Sequence, residues 1–273
     1  FKLYRNIFTR SMFVNFNKAL FNMSLRGIGV LNWENDVISG ERHLIKTILP
    51  KVIRSDHPLF FDIGANVGNY SLTLLSSFPG AVIHAFEPHP INYLRLKERL
   101  SYENVVTHNV ALGERSGKSI LYDRLDSDGS LHASLHEAVI SEIHKSQVTM
   151  HQIELERLDY FAEKEGILHI DFMKVDTEGN ELAVLQGASK MIERGNIGFI
   201  HFEFNEMNII SRVFLRDFRK ILKNYELFRV LPDGLLPLRK NPKAREYVEE
   251  ELFAYQNIFA APEKHSDIIK QCC

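Results

Sequence analysis

The stretch Phe61-Asp62-Ile63-Gly64-Ala65-Asn66-Val67-Gly68-Asn69 decides the fold of this chain. The apolar residues that lead into it predict a buried strand, and the apolar spacing over residues 70–77 predicts a helix after it. Glycines between a strand and a helix let the backbone turn tightly and let a ligand come close. In a doubly wound sheet this turn lies at the carboxyl edge, so we predict that Gly64, Asn66 and Asn69 line a ligand site there.

The acid in this turn indicates the kind of ligand. A dinucleotide site has the spacing G-x-G-x-x-G, which brings a pyrophosphate to the helix N-terminus. This chain has D-x-G-x-N-x-G instead, and the carboxylate of Asp62 would repel a pyrophosphate. It suits a cationic ligand that carries an ammonium group, such as S-adenosylmethionine, so we expect Asp62 to bind the cofactor.

Two further strand ends carry residues that suit a nucleoside. Glu87 and Pro88 follow the second predicted strand, and a carboxylate there can accept both ribose hydroxyl protons. Asn109 and Val110 follow the third, where a polar and a small apolar side chain can bracket an adenine ring. Each pair alone would be compatible with an ordinary loop. Their occurrence at three successive strand ends predicts one nucleoside site.

Strands and helices alternate along the rest of the chain. This alternation predicts an α/β fold with a seven-stranded, mostly parallel, Rossmann-like sheet and helices on both faces, closed by an antiparallel pair. A further strand pair frames a polar insert. The predicted strands are 59–63, 81–86, 104–109, 118–122, 148–155, 171–175, 197–204, 228–231 and 253–260, and the main predicted helices are 41–49, 70–77, 90–100, 178–193 and 213–223.

Composition and charge narrow the classes of function. The chain has 273 residues and a net charge of −2, so we expect no nucleic-acid partner. Its only cysteines are Cys272 and Cys273, which cannot cross-link the core and suit a reducing, cytoplasmic compartment. No apolar run is long enough for a transmembrane helix. The chain begins at Phe1 and not Met, so we expect that a signal, an anchor or a tag was removed upstream.

We divide the chain into a helical extension, residues 1–50, and a main domain, residues 51–273. Apolar residues recur at helical spacing from Phe8 to Met23, and Gly27-Ile28-Gly29 should end that helix. We expect the helix to pack on the domain. The alternative is a peripheral contact of residues 1–33 with a membrane surface or a partner helix, because basic residues flank the apolar ones.

In several segments the sequence resembles the FkbM-type methyltransferases, which have the class I methyltransferase fold. The matching segments are Asp62–Gly68, Ala85–Pro88, Asn109–Gly113 and Lys174–Gly179, the last continuing to Gly187. The resemblance covers residues 59–206 well. It implies S-adenosylmethionine as methyl donor and O-methylation of a glycan hydroxyl or of a small natural product. It also implies that Asp62, Gly64, Glu87 and Asn109 occupy cofactor positions.

A hydroxyl acceptor has to lose a proton, so the site needs a base or a metal. His201, Glu203 and Asn205 alternate along a strand and share one face, which favours a functional cluster over a structural network. We predict Glu203 or His201 as the base. Asp176 is predicted to hold the cofactor or the acceptor. We expect no metal, although Asp176, Glu178, His201 and Glu203 could together hold Mg²⁺ or Mn²⁺ if they converged.

The polar insert, residues 124–147, is predicted to be a lid that helps to bind the acceptor; a solvated surface excursion is the alternative. We assign acceptor contacts to Ser134, Glu178 and Asn205. The insert's histidines are too scattered in sequence to predict a metal site. Two other functions stay open: a nicotinamide-dependent oxidoreductase, and a non-catalytic binding module with a methyltransferase fold.

Overall fold

The computed structural model describes residues 2–239, 243–270 and 272, which include an eight-stranded sheet in the order β10-β9-β11-β8-β7-β1-β2-β3. The strands β8, β7, β1, β2 and β3 are parallel, whereas β11 pairs antiparallel with both β8 and β9. In chain order the strands are β1 (Leu59–Ile63), β2 (Val82–Phe86), β3 (Val105–His108), β4 (Ala111–Leu112), β5 (Gly117–Arg124), β6 (Val148–Glu156), β7 (Ile170–Val175), β8 (Ile197–Phe204), β9 (Tyr225–Leu231), β10 (Gly234–Pro237) and β11 (Gln256–Pro262).

The predicted mostly parallel sheet with an antiparallel end is confirmed, with one more strand than the seven expected. The additional strand is β10, which turns back on β9 through residues 232 and 233. It has only four residues and ends in a proline, so its sequence is indistinguishable from a loop. The antiparallel end formed by β9 and β11 is not a simple hairpin. The chain passes from β9 to β10 first, and β11 returns from the C-terminal region to lie between β8 and β9.

Helices cover both faces of this sheet, as predicted. Successive residues of a strand point to opposite faces, so Phe61 and Met173 lie in one apolar core while Phe60 and Phe172 lie in the other. In chain order the helices are α1 (Lys2–Phe8), α2 (Val14–Gly27), α3 (Glu41–His43), α4 (Leu49–Val52), α5 (Asn69–Ser77), α6 (Pro90–Arg99), α7 (Leu158–Lys164), α8 (Glu181–Gly187), α9 (Ser189–Glu193), α10 (Met207–Ser211), α11 (Leu215–Ile221), α12 (Ala244–Glu250) and α13 (Ser266–Lys270).

The helix predicted for residues 178–193 begins three residues later and is divided into α8 and α9. Glu178 and Gly179 both have positive φ, +53° and +100°, so the backbone leaves β7 through a tight turn before it can become helical. This turn holds the tetrapeptide Asp176–Gly179 against the sheet edge.

A small second sheet, β4-β6-β5, stands beside the carboxyl edge of the main one. The strands β5 and β6 pair antiparallel, as predicted, and frame the insert. Ser134 forms an isolated β-bridge with Tyr122, and residues 139–143 form a π-helical turn, so the insert has internal structure. Two backbone amides of the insert, those of Gly129 and Ser130, donate hydrogen bonds to the buried carboxylate of Asp123. These bonds fasten the insert to β5.

The N-terminal extension departs from the prediction. We expected its apolar helix face to pack on the domain, but α1 has no buried residue and α2 buries only Leu25. The aromatic rings of Tyr4, Phe13 and Phe16 pack instead around Phe8, so α1 folds back on α2. No helix of the described residues has the length and hydropathy required to cross a membrane.

The second half of the predicted extension belongs to the domain core. A π-helical turn, Leu44–Ile48, joins α3 to α4, and its apolar side chains are buried beside the main sheet. The helical run therefore continues through Pro50, past residue 49, where the predicted helix ends. Pro50 lies at the first turn of α4, where its missing N–H has the smallest cost. Residues 44–49 therefore pack with the main domain, while the division at residue 50 stays a prediction.

Candidate active site

A cleft of about 910 Å³ opens at the carboxyl ends of β1, β2, β7 and β8, with the insert forming one of its walls. This size falls in the usual range for small-molecule sites. Most of the residues predicted for the site are brought together there. Those that line the cleft are Gly64, Asn66, Asn69, Glu87, Pro88, Val110, Asp176, Glu178, Glu203 and Asn205.

The glycine turn permits a close approach between two strand ends. Gly64 has φ +80°, and a Cβ there would lie 1.7 Å from the backbone oxygen of Asp176. Any other residue at this position would push the β1 and β7 loops apart. The amides of Gly64 and Ala65 both donate to the carbonyl of Phe86, at 3.0 and 2.9 Å, which joins the turn to the end of β2 as well.

Glu87 is buried and held by two backbone amides. The N–H of Asn66 donates to one carboxylate oxygen and the N–H of His89 to the other, both at 2.8 Å. Burial raises the pKa of Glu87 to about 7, although these two hydrogen bonds act to lower it. Each oxygen retains a lone pair, so the carboxylate can still accept two hydroxyl protons from a ligand.

Two of the expected cofactor residues do not line the cleft. Asp62 is fully buried behind it; Ser71 donates to its Oδ2 at 2.6 Å, and its Oδ1 has no hydrogen-bond partner in the described part of the chain. The side-chain amide of Asn109 donates to the carbonyls of Glu87 and Pro88, at 2.9 and 3.1 Å. Asp62 therefore lies behind the cleft wall and Asn109 holds the loop after β2, while direct contact of either with the cofactor stays a prediction.

An ammonium group that the sequence analysis overlooked lies at the centre of the acidic end. The Nζ of Lys174 is 2.8 Å from Asp176 Oδ2 and 4.7 Å from the centre of the Tyr70 ring. Burial alone would lower the pKa of Lys174, but the surrounding carboxylates raise it above its ordinary value, so the ammonium stays charged. The residues of this anionic cluster are Glu41, Asp62, Asp176 and Glu203 around Lys174.

Glu203 is the carboxylate of the cluster best suited to accept a proton. It lines the cleft, and Asn205 Nδ2 lies 3.4 Å from its Oε2. Burial raises the pKa of Glu203 well above its ordinary value, and the neighbouring charge of Asp176 raises it further. A carboxylate with a raised pKa is a stronger base once it is ionised, and a cationic ligand in the cleft would favour that ionised form.

His201 shares its strand face with Glu203, as predicted, but it lies one step deeper. The ring is completely buried, its Nδ1 is 2.9 Å from the hydroxyl of Tyr70, and it does not line the cleft. Burial and, to a smaller extent, the charge of Lys174 lower the pKa of His201 to about 3. The geometry therefore leaves Glu203, and not His201, as the candidate base.

The insert is tied to the tetrapeptide by two contacts. Ser134 is buried, and its hydroxyl donates to the carbonyl of Glu178 at 2.7 Å. The Nδ1 of His132 lies 3.1 Å from Glu178 Oε1. The acceptor role predicted for Ser134 does not match this position, because its hydroxyl is already used to hold the insert.

The four residues considered for Mg²⁺ or Mn²⁺ do not converge on one point. His201 is out of reach, and the ammonium of Lys174 already lies against Asp176. A cation therefore occupies the place that a metal between these carboxylates would need. Among the described residues this set does not form a group of ligand atoms within mutual reach.

Sequence reasoning also missed Glu181, the first residue of α8. Its Oε1 accepts hydrogen bonds from the amides of Thr177 and Gly179, at 2.9 and 3.1 Å, and from the Thr177 hydroxyl at 3.1 Å. Burial raises the pKa of Glu181 to about 7. An acid in the first turn of a helix that follows a sharp loop is the signal that could have identified it.

Comparison with known proteins gives a consistent result. Residues 62–227 match a protein-family model described as the methyltransferase FkbM domain. The 2-O-methyltransferase NoeI of Sinorhizobium fredii is 24% identical over 200 residues, which cover 67% of this chain and 79% of NoeI. Methyltransferase sdnD of Sordaria araneosa is 30% identical over 159 residues, 49% of this chain and 61% of sdnD. The 31-O-demethyl-FK506 methyltransferase FkbM of Streptomyces tacrolimicus is 25% identical over 156 residues, 46% of this chain and 58% of that protein.

Proposed function

This chain belongs to the FkbM methyltransferase family, and from that membership we propose that it transfers a methyl group from S-adenosylmethionine to a hydroxyl oxygen. The observation that carries the proposal is the cleft itself. It places the buried carboxylate of Glu87 at one side and the anionic cluster around Lys174 at the other. Family membership also argues against the alternative that the chain is a nicotinamide-dependent oxidoreductase.

The residues of the cleft suit S-adenosylmethionine in three respects. Glu87 has lone pairs for the two ribose hydroxyls. Apolar side chains at the end of β2, after β3 and in β4 supply a wall for the adenine ring; they are Phe86, Val110 and Leu112. Asp176 and Glu203 line the cleft beside the anionic cluster, so carboxylate oxygens can face the positive charges of the sulfonium and the amino group.

When bound, S-adenosylmethionine supplies an activated methyl group on its sulfonium. The protein then has two tasks: to align the acceptor oxygen with that methyl group, and to remove the hydroxyl proton as the new carbon–oxygen bond forms. We assign the proton to Oε1 of Glu203, the oxygen away from the Asn205 contact. Asp176, held by Lys174, orients the cationic part of the cofactor.

We propose a hydroxyl of a glycan or of a small natural product as the acceptor. The names of the 2-O-methyltransferase NoeI and of the Streptomyces 31-O-demethyl-FK506 methyltransferase both specify transfer to oxygen. The chain's net charge of −2 makes a polyanionic acceptor such as nucleic acid a poor match. Asn205 and the insert lie on the side of the cleft that we assign to the acceptor.

The proposal is tested by calorimetric titration of the purified chain with S-adenosylhomocysteine and, separately, with NAD. We expect micromolar binding of S-adenosylhomocysteine, loss of that binding in Glu87→Ala, and no binding of NAD. Methyl transfer from radiolabelled S-adenosylmethionine to a panel of sugars and polyols is measured in parallel.

The variant Glu203→Gln separates catalysis from binding. It should bind S-adenosylhomocysteine normally and lose turnover by roughly a hundredfold or more, as expected for removal of a general base. Glu154→Gln makes the same change at an exposed residue of β6 and should leave both unchanged. Cofactor binding without turnover on any acceptor would favour the non-catalytic module, and failure to bind S-adenosylhomocysteine would reject the proposal.

A further inference from the structure

Three metal-ligating side chains meet where the insert covers the cleft. His132 and His144 come from the insert, and Glu178 comes from the turn after β7. His132 Nδ1 lies 3.1 Å from Glu178 Oε1, and the two imidazole rings are 4.4 Å apart between centroids. One ligand atom of each residue lies within 4.8 Å of the other two. All three residues line the cleft.

This arrangement is close to what a metal ion requires. Ligands bound to one tetrahedral Zn²⁺ at about 2.1 Å are separated from each other by roughly 3.4 Å. Small rotations of the side chains would bring the three atoms to such spacing. Two imidazoles and one carboxylate suit a divalent transition metal, whereas Mg²⁺ and Ca²⁺ prefer an all-oxygen set.

A separate observation points to a missing ligand at this place. The Nε2 of His144 and the Oε2 of Glu178 are both buried, and neither has a hydrogen-bond partner among the residues that the structure describes. A buried polar atom without a partner costs about 1–3 kcal/mol. Both atoms belong to residues of the same three-ligand group, so a single bound cation could satisfy both.

The other three-residue group of this kind, His89, Asp128 and His151, does not share that property. His89 Nε2 and His151 Nε2 both lie within hydrogen-bond distance of Asp128 Oδ1, at 3.1 and 2.8 Å. His89 Nδ1 accepts from the amide of Ile91. No side-chain atom of that group is among the buried polar atoms without a partner in the described residues, so it is better read as a structural network.

We propose that His132, His144 and Glu178 bind one divalent transition-metal ion, with Zn²⁺ the best match to the ligand set. Three protein ligands leave the fourth tetrahedral position open, and the position of all three on the cleft wall directs it to the cleft. The ion also joins the insert to the turn that carries Asp176, in addition to the contact from Ser134.

The open position gives the ion a part in acceptor binding, and this step rests on the proposed O-methyltransferase function. A hydroxyl oxygen bound to the ion would be more acidic, so its proton would pass more easily to Glu203. The oxygen bonds to the methyl carbon as the methyl–sulfur bond breaks, and the electron pair of that bond leaves with S-adenosylhomocysteine. Metal binding itself does not depend on that function.

The test uses the full chain after treatment with a chelator and removal of the chelator. Zn²⁺ is titrated by calorimetry, and Co²⁺ is added to a second sample to record the visible absorption of a tetrahedral site. We expect one equivalent of either ion. His144→Ala and Glu178→Gln should weaken Zn²⁺ binding by about a hundredfold or more, since even the loss of residues that only orient ligands costs 10–100-fold.

The matched control is His151→Ala, which removes a histidine from the other group and should leave Zn²⁺ affinity unchanged. His144→Asn is a second variant that removes the imidazole but keeps a polar side chain, in case His144→Ala misfolds. Circular dichroism of each variant verifies the fold. No stoichiometric binding of either ion, or binding lost in His151→Ala but retained in His144→Ala, overturns the proposal. S-adenosylhomocysteine titration of the same samples reports separately on the proposed function.

Discussion

Glu87 connects ligand binding to pH. Its carboxylate accepts one amide hydrogen bond on each oxygen. Only the ionised form keeps a free lone pair on both oxygens, because protonation turns one of them into a donor. Burial raises its pKa to about 7, close to the pH of an ordinary assay. Protonation below that pH removes one of the two acceptors offered to the ribose.

We therefore predict that S-adenosylhomocysteine binds more weakly as the pH falls through 7. If only the ionised form of Glu87 binds, Kd should increase about tenfold between pH 8 and pH 6. Calorimetric titrations at several pH values measure this change. In Glu87→Gln the affinity should be low and almost independent of pH. A wild-type Kd that is constant over this range would show that Glu87 does not contact the ligand.

At the scale of an element, the turn between β7 and α8 depends on one side chain. Glu181 Oε1 accepts three hydrogen bonds from Thr177 and Gly179, while its Oε2 is buried without a partner in the described structure. Burial raises its pKa from an ordinary 4.5 to about 7. The folded state therefore binds this proton more tightly than the unfolded chain does, and the stability gained in this way is lost as the pH rises from about 4.5 to 7.

Two substitutions separate the hydrogen bonds from the charge. Glu181→Gln resembles the protonated acid, so it should match wild type in thermal unfolding near pH 5 and be more stable at pH 8, by at most ~3 kcal/mol. Glu181→Ala leaves three donors without their acceptor and should be destabilised by about 2 kcal/mol or more near pH 5. At pH 8 this loss should be smaller or offset, because the variant also removes the buried charge. Equal effects of the two substitutions at pH 8 would show that the hydrogen bonds contribute nothing.

The sequence predicted the elements whose determinants are local. The strand, turn and helix around Gly64 follow from residues within one short window, and so do Glu87 at the end of β2 and the strand pair β5 and β6. Alternation along β8 correctly predicted that His201 and Glu203 share a face. It could not predict depth, because the Tyr70 side chain that meets His201 comes from another element.

Residues that were missed act through partners far along the chain. Lys174 interacts electrostatically with several carboxylates, and one of them, Glu41, lies 133 positions earlier in the chain. His132, His144 and Glu178 show no metal-binding spacing in sequence, and the fold of the insert brings them together. The exposed face of α2 has the same helical periodicity as a packed one, so its pattern could not reveal whether anything covers it.

For the molecule as a whole, charge and apolar exposure are unevenly distributed. Residues 1–33 contain five lysines or arginines and no acid, although the chain has a net charge of −2. On the same segment Leu3, Met12 and Met23 are 62–78% exposed. A surface that combines exposed apolar side chains with basic ones fits an anionic lipid surface, where the former enter the interface and the latter remain near the headgroups. We propose that α1 and α2 hold the enzyme at such a surface.

Co-sedimentation with vesicles tests this proposal. We expect the chain to bind phosphatidylserine-containing vesicles and to release them at high salt, because each basic residue near an anionic surface contributes about 1 kcal/mol. It should not bind vesicles of phosphatidylcholine alone. The double variant Phe21→Glu and Met23→Glu should abolish binding. Leu168→Glu introduces a charge at an equally exposed apolar residue outside the segment and should not affect it. A stable dimer that the double variant disrupts, without vesicle binding, would assign this face to a second copy of the chain.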